Sequence, residues 1–133
     1  MKADIKKILH IDDDPVMRMM TKKALERAHL GFEIRSCSSS HDFLKGIEEF
    51  QPDLLLVDFM MPVMNGEELI SAVRNSNDPQ HTCPVIYLSG KDHLTFKDRA
   101  KIEPILGVIQ KPFSPVTLGQ DLQNIWENFY SGK

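Results

Sequence analysis

Four short runs dominated by apolar residues, 8–11, 54–57, 85–88 and 105–109, punctuate the chain, and none shows the apolar–polar alternation of a strand with one wet face. Strands buried on both sides of a parallel sheet read this way. Longer amphipathic stretches separate them, long enough for the helical crossovers that parallel neighbours need. A fifth segment, Phe32-Glu33-Ile34-Arg35-Ser36-Cys37, does alternate and is expected at a sheet edge. The pattern predicts an α/β fold: a doubly wound, five-stranded parallel sheet in which each strand is followed by a helix and right-handed crossovers place helices on both faces.

The helix starts are marked by residues that satisfy free first-turn N–H groups. Asp14-Pro15 and Ser114-Pro115 each put a capping side chain before a proline, whose missing N–H costs nothing at the first helical position. Asn65-Gly66-Glu67-Glu68 reads as a cap with an acid three residues on. Leu118, Leu122, Ile125 and Phe129 form one apolar stripe for the last helix, and Met17, Met20, Ala24 and Ala28 one for the first.

The strands deliver chemistry at their carboxyl ends, where open α/β sheets bind ligands. Run 8–11 leads into Asp12-Asp13-Asp14, run 54–57 into Asp58, run 85–88 into Ser89-Gly90, and run 105–109 into Gln110-Lys111-Pro112-Phe113. Carboxylates from neighbouring strands would crowd. Two unit charges ~4 Å apart repel by about 4 kcal/mol at an effective dielectric near 20. A divalent cation removes that repulsion, and magnesium favours one or two carboxylates completed by water and phosphate oxygen. Asp58 is then placed to attack phosphorus, Lys111 to pair with a phosphate oxygen and Ser89 to donate a hydrogen bond to another.

The whole chain sets limits on this chemistry. With 133 residues it matches one domain, 1–133, with no output domain expected. Its net charge is −3 and it has no basic run, so direct nucleic-acid binding is not expected. The apolar stretch after Lys6-Lys7 is too short for a signal peptide or a membrane span. Cys37 and Cys83 lack Cys-x-x-Cys spacing and are expected to be reduced packing residues in a cytoplasmic protein.

The segments Ile8-Leu9-His10-Ile11-Asp12-Asp13-Asp14-Pro15, Leu56-Val57-Asp58-Phe59-Met60-Met61-Pro62-Val63-Met64-Asn65-Gly66, Leu88-Ser89-Gly90 and Lys111-Pro112-Phe113 together resemble the motifs of response-regulator receiver domains. That resemblance implies a flavodoxin-like (βα)5 fold with strand order 2-1-3-4-5. It implies that Asp58 accepts a phosphoryl group from a histidine kinase or a histidine phosphotransfer protein. It also implies a magnesium site, with manganese able to substitute. Asp13 and Asp58 would bind the metal directly, Asp12 through water, and Met60 through its backbone carbonyl. Ser89 and Lys111 would contact the phosphate, and the Lys111-Pro112 bond would be cis. The result would be a signalling module rather than an enzyme, acting through a downstream protein partner by reshaping the surface around its fourth helix, fifth strand and fifth helix.

Two positions depart from the family. Val108 stands where an aromatic residue often serves as a rotamer switch, and Glu103-Pro104-Ile105 replaces the common Gly-Ala turn, which is expected to displace the end of the fourth helix.

Plainer readings stand beside these. Asp14 is a helix cap. His10 is a packed, hydrogen-bonded core residue, and His29, His41, His81 and His93 show no ligand spacing. The methionines read as adaptable packing. Two rival functions remain: a haloacid-dehalogenase-like phosphohydrolase with Asp12 as nucleophile and Asp14 as general acid, and an unphosphorylated docking pseudo-receiver.

Overall fold

The computed structural model describes residues 4–90 and 94–131. Met1, Lys2, Ala3 and His93 lie outside the described residues. Five strands, β1 (Lys7–Ile11), β2 (Glu33–Cys37), β3 (Leu54–Asp58), β4 (Val85–Ser89) and β5 (Ile105–Gln110), form one parallel sheet in the order β2-β1-β3-β4-β5. The doubly wound order 2-1-3-4-5 is as expected, and the alternating strand β2 is an edge.

Side-chain direction alternates along each strand, so every buried strand feeds two cores. Leu9, Ile11, Leu55, Val57, Val85 and Tyr87 face one layer, with Phe43, Ile47, Leu69, Ile70 and Val73 from the helices α2 (Ser40–Phe50) and α3 (Gly66–Arg74). Ile8, Leu54, Leu56, Ile86 and Leu88 face the other, beneath α1 (Pro15–Arg27) and α4 (Leu118–Tyr130), which contribute Ala24, Leu25, Leu118, Leu122 and Trp126. Burying each large aliphatic side chain contributes about 1.5–3 kcal/mol.

The helix starts follow the sequence closely. The Asp14 carboxylate accepts the N–H groups of Val16 and Met17, at 2.9 and 3.4 Å, with Pro15 opening α1. Asn65 and Glu68 form a reciprocal capping box at α3, both hydrogen bonds 2.9 Å long. At the last helix Ser114 accepts the N–H of Val116 on its hydroxyl and that of Leu118 on its carbonyl. It therefore caps a turn over 115–117, and α4 proper starts at Leu118.

One expected helix is not seen. Among the described residues the connection from β4 to β5 holds a single 3-10 turn, Arg99–Lys101. Of the apolar residues there, Leu94 and Ile102 could share a helix face but Phe96 falls off it with no large apolar residue between to complete a stripe, and Pro104 stops any helix from continuing. The N–H groups of Lys97 and Asp98 are bound by the Glu67 carboxylate, at 2.9 and 2.8 Å, instead of by carbonyls one turn back. Arg74 ties the same region to the sheet: its half-buried guanidinium donates to the carbonyls of His81, Cys83, Ile102 and Pro104. Burial lowers its pKa from the usual arginine value.

Candidate functional site

The sheet register brings the strand-end residues together. Ile11 pairs with Val57, so the residues that follow them, Asp12 and Asp58, emerge side by side. Asp58 pairs with Leu88, one residue before Ser89, and Ser89 pairs with Gln110, one residue before Lys111. Backbone hydrogen bonds fix these ends: Phe59 N–H donates to Leu88 O at 2.9 Å and Lys111 N–H to Ser89 O at 2.7 Å. All four expected side chains thus leave one edge of the sheet within a few residues of register.

Asp12, Asp58 and Ser89 are buried, at 1%, 4% and 0% exposure, whereas Asp13 is exposed. Lys111 Nζ lies 2.8 Å from Asp58 Oδ1 and 3.6 Å from Asp12 Oδ2. Asp12, Asp13 and Asp58 can each offer a carboxylate oxygen such that all three lie within 4.8 Å of one another. Asp12 Oδ1 accepts the N–H of Asp14 at 2.9 Å, but Asp12 Oδ2 accepts no hydrogen bond despite its burial. A buried carboxylate oxygen facing only an amine 3.6 Å away suits a hard cation, and the three-oxygen donor set has the chemistry of a magnesium site. Met60 is half exposed in the loop after β3.

Burial raises the Asp58 pKa from the ordinary aspartate value; the hydrogen bond and charge of Lys111 pull it back, and Asp12 and Asp13 push it up again. The carboxylates thus repel one another across the cluster, and a divalent cation would offset that repulsion.

A profile of the response regulator receiver domain matches residues 8–123. The chain belongs to the response-regulator receiver family. Among related receivers, it is 30% identical over 113 residues to Protein PilG of Pseudomonas aeruginosa, covering 85% of this chain and 82% of PilG. It is 35% identical over 105 residues to the heme response regulator HssR of Staphylococcus saprophyticus, covering 79% of this chain. The match spans only 44% of HssR's length, and 12% of another relative's. The chemotaxis response regulator CheY4 of Vibrio cholerae superimposes with a TM-score of 0.76 at 29% identity, covering 91% of this chain and 98% of that one.

Within this receiver fold several sequence readings find their places. Asp14 caps α1, as read. His10 is fully buried; its Nδ1 lies 3.1 Å from the Ser36 hydroxyl, and burial, then Lys111 and Arg18, lower its pKa to about 3. It is a neutral core residue, as read. The Lys111–Pro112 bond is cis. Cys37 and Cys83 are both buried, and burial pushes the Cys37 thiol up to about 11. No helix among the described residues is long and apolar enough to cross a membrane.

Two contributors were missed in the sequence. Arg18 Nη1 donates to the backbone carbonyl of Asp12 at 2.9 Å, bracing the acidic turn from the second turn of α1. Nothing but its position six residues after Asp12 marks it. Tyr87 stands two residues before Ser89 on the same face of β4, its hydroxyl donating to Gly66 O at 3.2 Å, and its ring lies against Phe59, which follows Asp58. It read only as part of an apolar run.

Proposed function

We propose that the chain is a cytoplasmic phosphoacceptor switch in which Asp58 takes a phosphoryl group from a phosphohistidine on a histidine kinase or phosphotransfer protein. The reading is carried by one observation: Lys111 touches Asp58 at 2.8 Å while Asp12 and Asp13 offer oxygens within 4.8 Å of it, at the carboxyl ends of adjacent strands.

In the transfer a carboxylate oxygen of Asp58 forms a bond to phosphorus as the phosphorus–nitrogen bond of the donor breaks. The electron pair returns to the imidazole nitrogen, which then takes up a proton. Asp13 and Asp58, with Asp12 through water and the Met60 backbone carbonyl, would hold a magnesium ion, which would supply positive charge to offset the negative oxygens of the transferring group. Manganese would suit the same oxygen donors. Lys111 pairs with one phosphoryl oxygen and Ser89 donates to another. Lys111, 2.8 Å away, favours the ionised form of Asp58, the form whose lone pair attacks. The protein is a phosphoacceptor that assists its own loading and unloading, not an enzyme with an external substrate. It signals by binding a downstream protein partner differently in its two states.

The test is transfer from a phosphohistidine-bearing donor. Label should leave the donor for this protein in magnesium and stay on the donor when the metal is chelated. Metal-independent transfer, or none from any phosphohistidine donor, contradicts the proposal.

A further inference from the structure

Almost every polar atom of Asp12 is engaged. Its N–H donates to the carbonyl of Cys37 at 3.2 Å, and its Oδ1 accepts the N–H of Asp14 at 2.9 Å. Its carbonyl accepts from Arg18 Nη1, also at 2.9 Å. Oδ2 alone is left, buried and without a hydrogen bond, with Lys111 Nζ 3.6 Å away. The bonds close a ring through the start of α1, because the N–H of Arg18 in turn donates to the carbonyl of Asp14 at 2.9 Å.

The helix explains why an arginine at this position reaches the acidic turn. Thr21 and Leu25 are buried against the sheet, and Arg18, three and seven positions before them, heads the same row. Long helical side chains lean toward the helix N-terminus, so the guanidinium is carried back over the turn instead of outward to solvent. Arg18 is accordingly partly buried, whereas Met19 and Met20 beside it are exposed.

The carbonyl that Arg18 holds belongs to the peptide joining Asp12 to Asp13. Asp13 is exposed, and among the described residues no hydrogen bond holds its carboxylate, so the tilt of that one peptide governs where the carboxylate points. Resting on the phosphoacceptor reading above, we propose that Arg18 is a positioning residue of the metal site: by fixing the Asp12–Asp13 peptide it aims Asp13 and the free oxygen of Asp12 at a divalent cation, and so sets the affinity for magnesium.

Arg18 acts on a cation in two ways of opposite sign. Its own positive charge repels a metal nearby, so charge alone predicts tighter magnesium binding once the guanidinium is removed. Loss of aim predicts weaker binding, because the carboxylates must then be ordered at the moment the metal arrives. Groups that orient metal ligands from behind are typically worth ten- to a hundredfold in affinity, which makes aim the larger effect here.

Calorimetric titration with magnesium tests this on the wild type, Arg18→Met and Arg18→Gln, with uptake from acetyl phosphate at graded magnesium followed by intact mass on the same preparations. Both variants should bind magnesium roughly tenfold more weakly, and the magnesium concentration that gives the half-maximal uptake rate should rise by the same factor. Affinity is read on the folded protein, so a role in stability alone would lower the melting temperature in chelator and leave the affinity as it was. Unchanged or tighter binding in the variants, with one phosphoryl group added to the wild type, overturns the role of Arg18 while the acceptor reading stands. Slower uptake at an unchanged half-maximal magnesium concentration overturns it as well. If the wild type neither binds magnesium nor takes up a phosphoryl group, the acceptor reading falls and the positioning role falls with it.

Discussion

Asp58 sits under opposing influences: burial and two neighbouring carboxylates favour its neutral form, and one ammonium 2.8 Å away favours its charge. Because its pKa is raised in the folded state, the native protein holds the proton more tightly than the unfolded chain, and the associated stability is lost as pH rises through the folded value. At neutral pH, without metal, the ionised group is thus a burden. Asp58→Asn should raise the melting temperature of the metal-free protein, by roughly 3–6 °C if about 1 kcal/mol of repulsion is relieved, measured by calorimetry in a chelator. Magnesium should raise that of the wild type, by up to about 2.7 kcal/mol of stability at a hundredfold excess over its Kd, and should have less effect on Asp58→Asn. His10 works in the opposite direction. Its pKa is held at about 3, against 6.5 for the free side chain, so stability is fully present above pH 6.5 and falls as pH drops toward 3. The slope reaches about 1.4 kcal/mol per pH unit. Urea unfolding between pH 7 and 4 should show this loss, and His10→Leu should flatten it; an unchanged slope in the variant would assign acid lability elsewhere.

At the scale of elements, Arg74 fastens the ends of β4 and β5 and the 3-10 turn by donating to four carbonyls from one half-buried side chain. Arg74→Met should cost about 3 kcal/mol or more in urea unfolding, because buried carbonyls lose their partners, and a loss below about 1 kcal/mol would mean that they are otherwise satisfied. The four buried or edge strand runs, the caps at Asp14 and Asn65 and the site residues at the strand ends were legible because each follows from local rules: apolar runs for buried strands, short polar caps for helices, acids just past strand ends. The failed helix shows where local rules stop. Its residues could be assigned to a crossover by length alone, but what replaced the helix is the grip of Glu67, thirty positions earlier in the chain, on two backbone amides. Proline at 104 signalled an interruption and not its extent. In the same way Arg18 and Tyr87 act through partners that only the register of the sheet brings near, and a sequence read along its length carries no mark of those meetings.

For the molecule as a whole, two cores on opposite faces of the sheet fix the register, and the register sets Asp12, Asp58, Ser89 and Lys111 at one edge. The receiver family membership rests on the match over residues 8–123; the phosphoacceptor role assigned to this chain rests on the geometry of that edge. The partner-binding reading requires that one covalent event at Asp58 be the input. Intact-mass analysis after incubation with acetyl phosphate and magnesium tests that requirement most directly, run in parallel on the wild type, Asp58→Asn and Asp12→Asn. The account predicts one added phosphoryl group on the wild type, slower addition to Asp12→Asn, and none to Asp58→Asn. Labelling that persists in Asp58→Asn and vanishes in Asp12→Asn would contradict it and place the nucleophile on β1's side of the site.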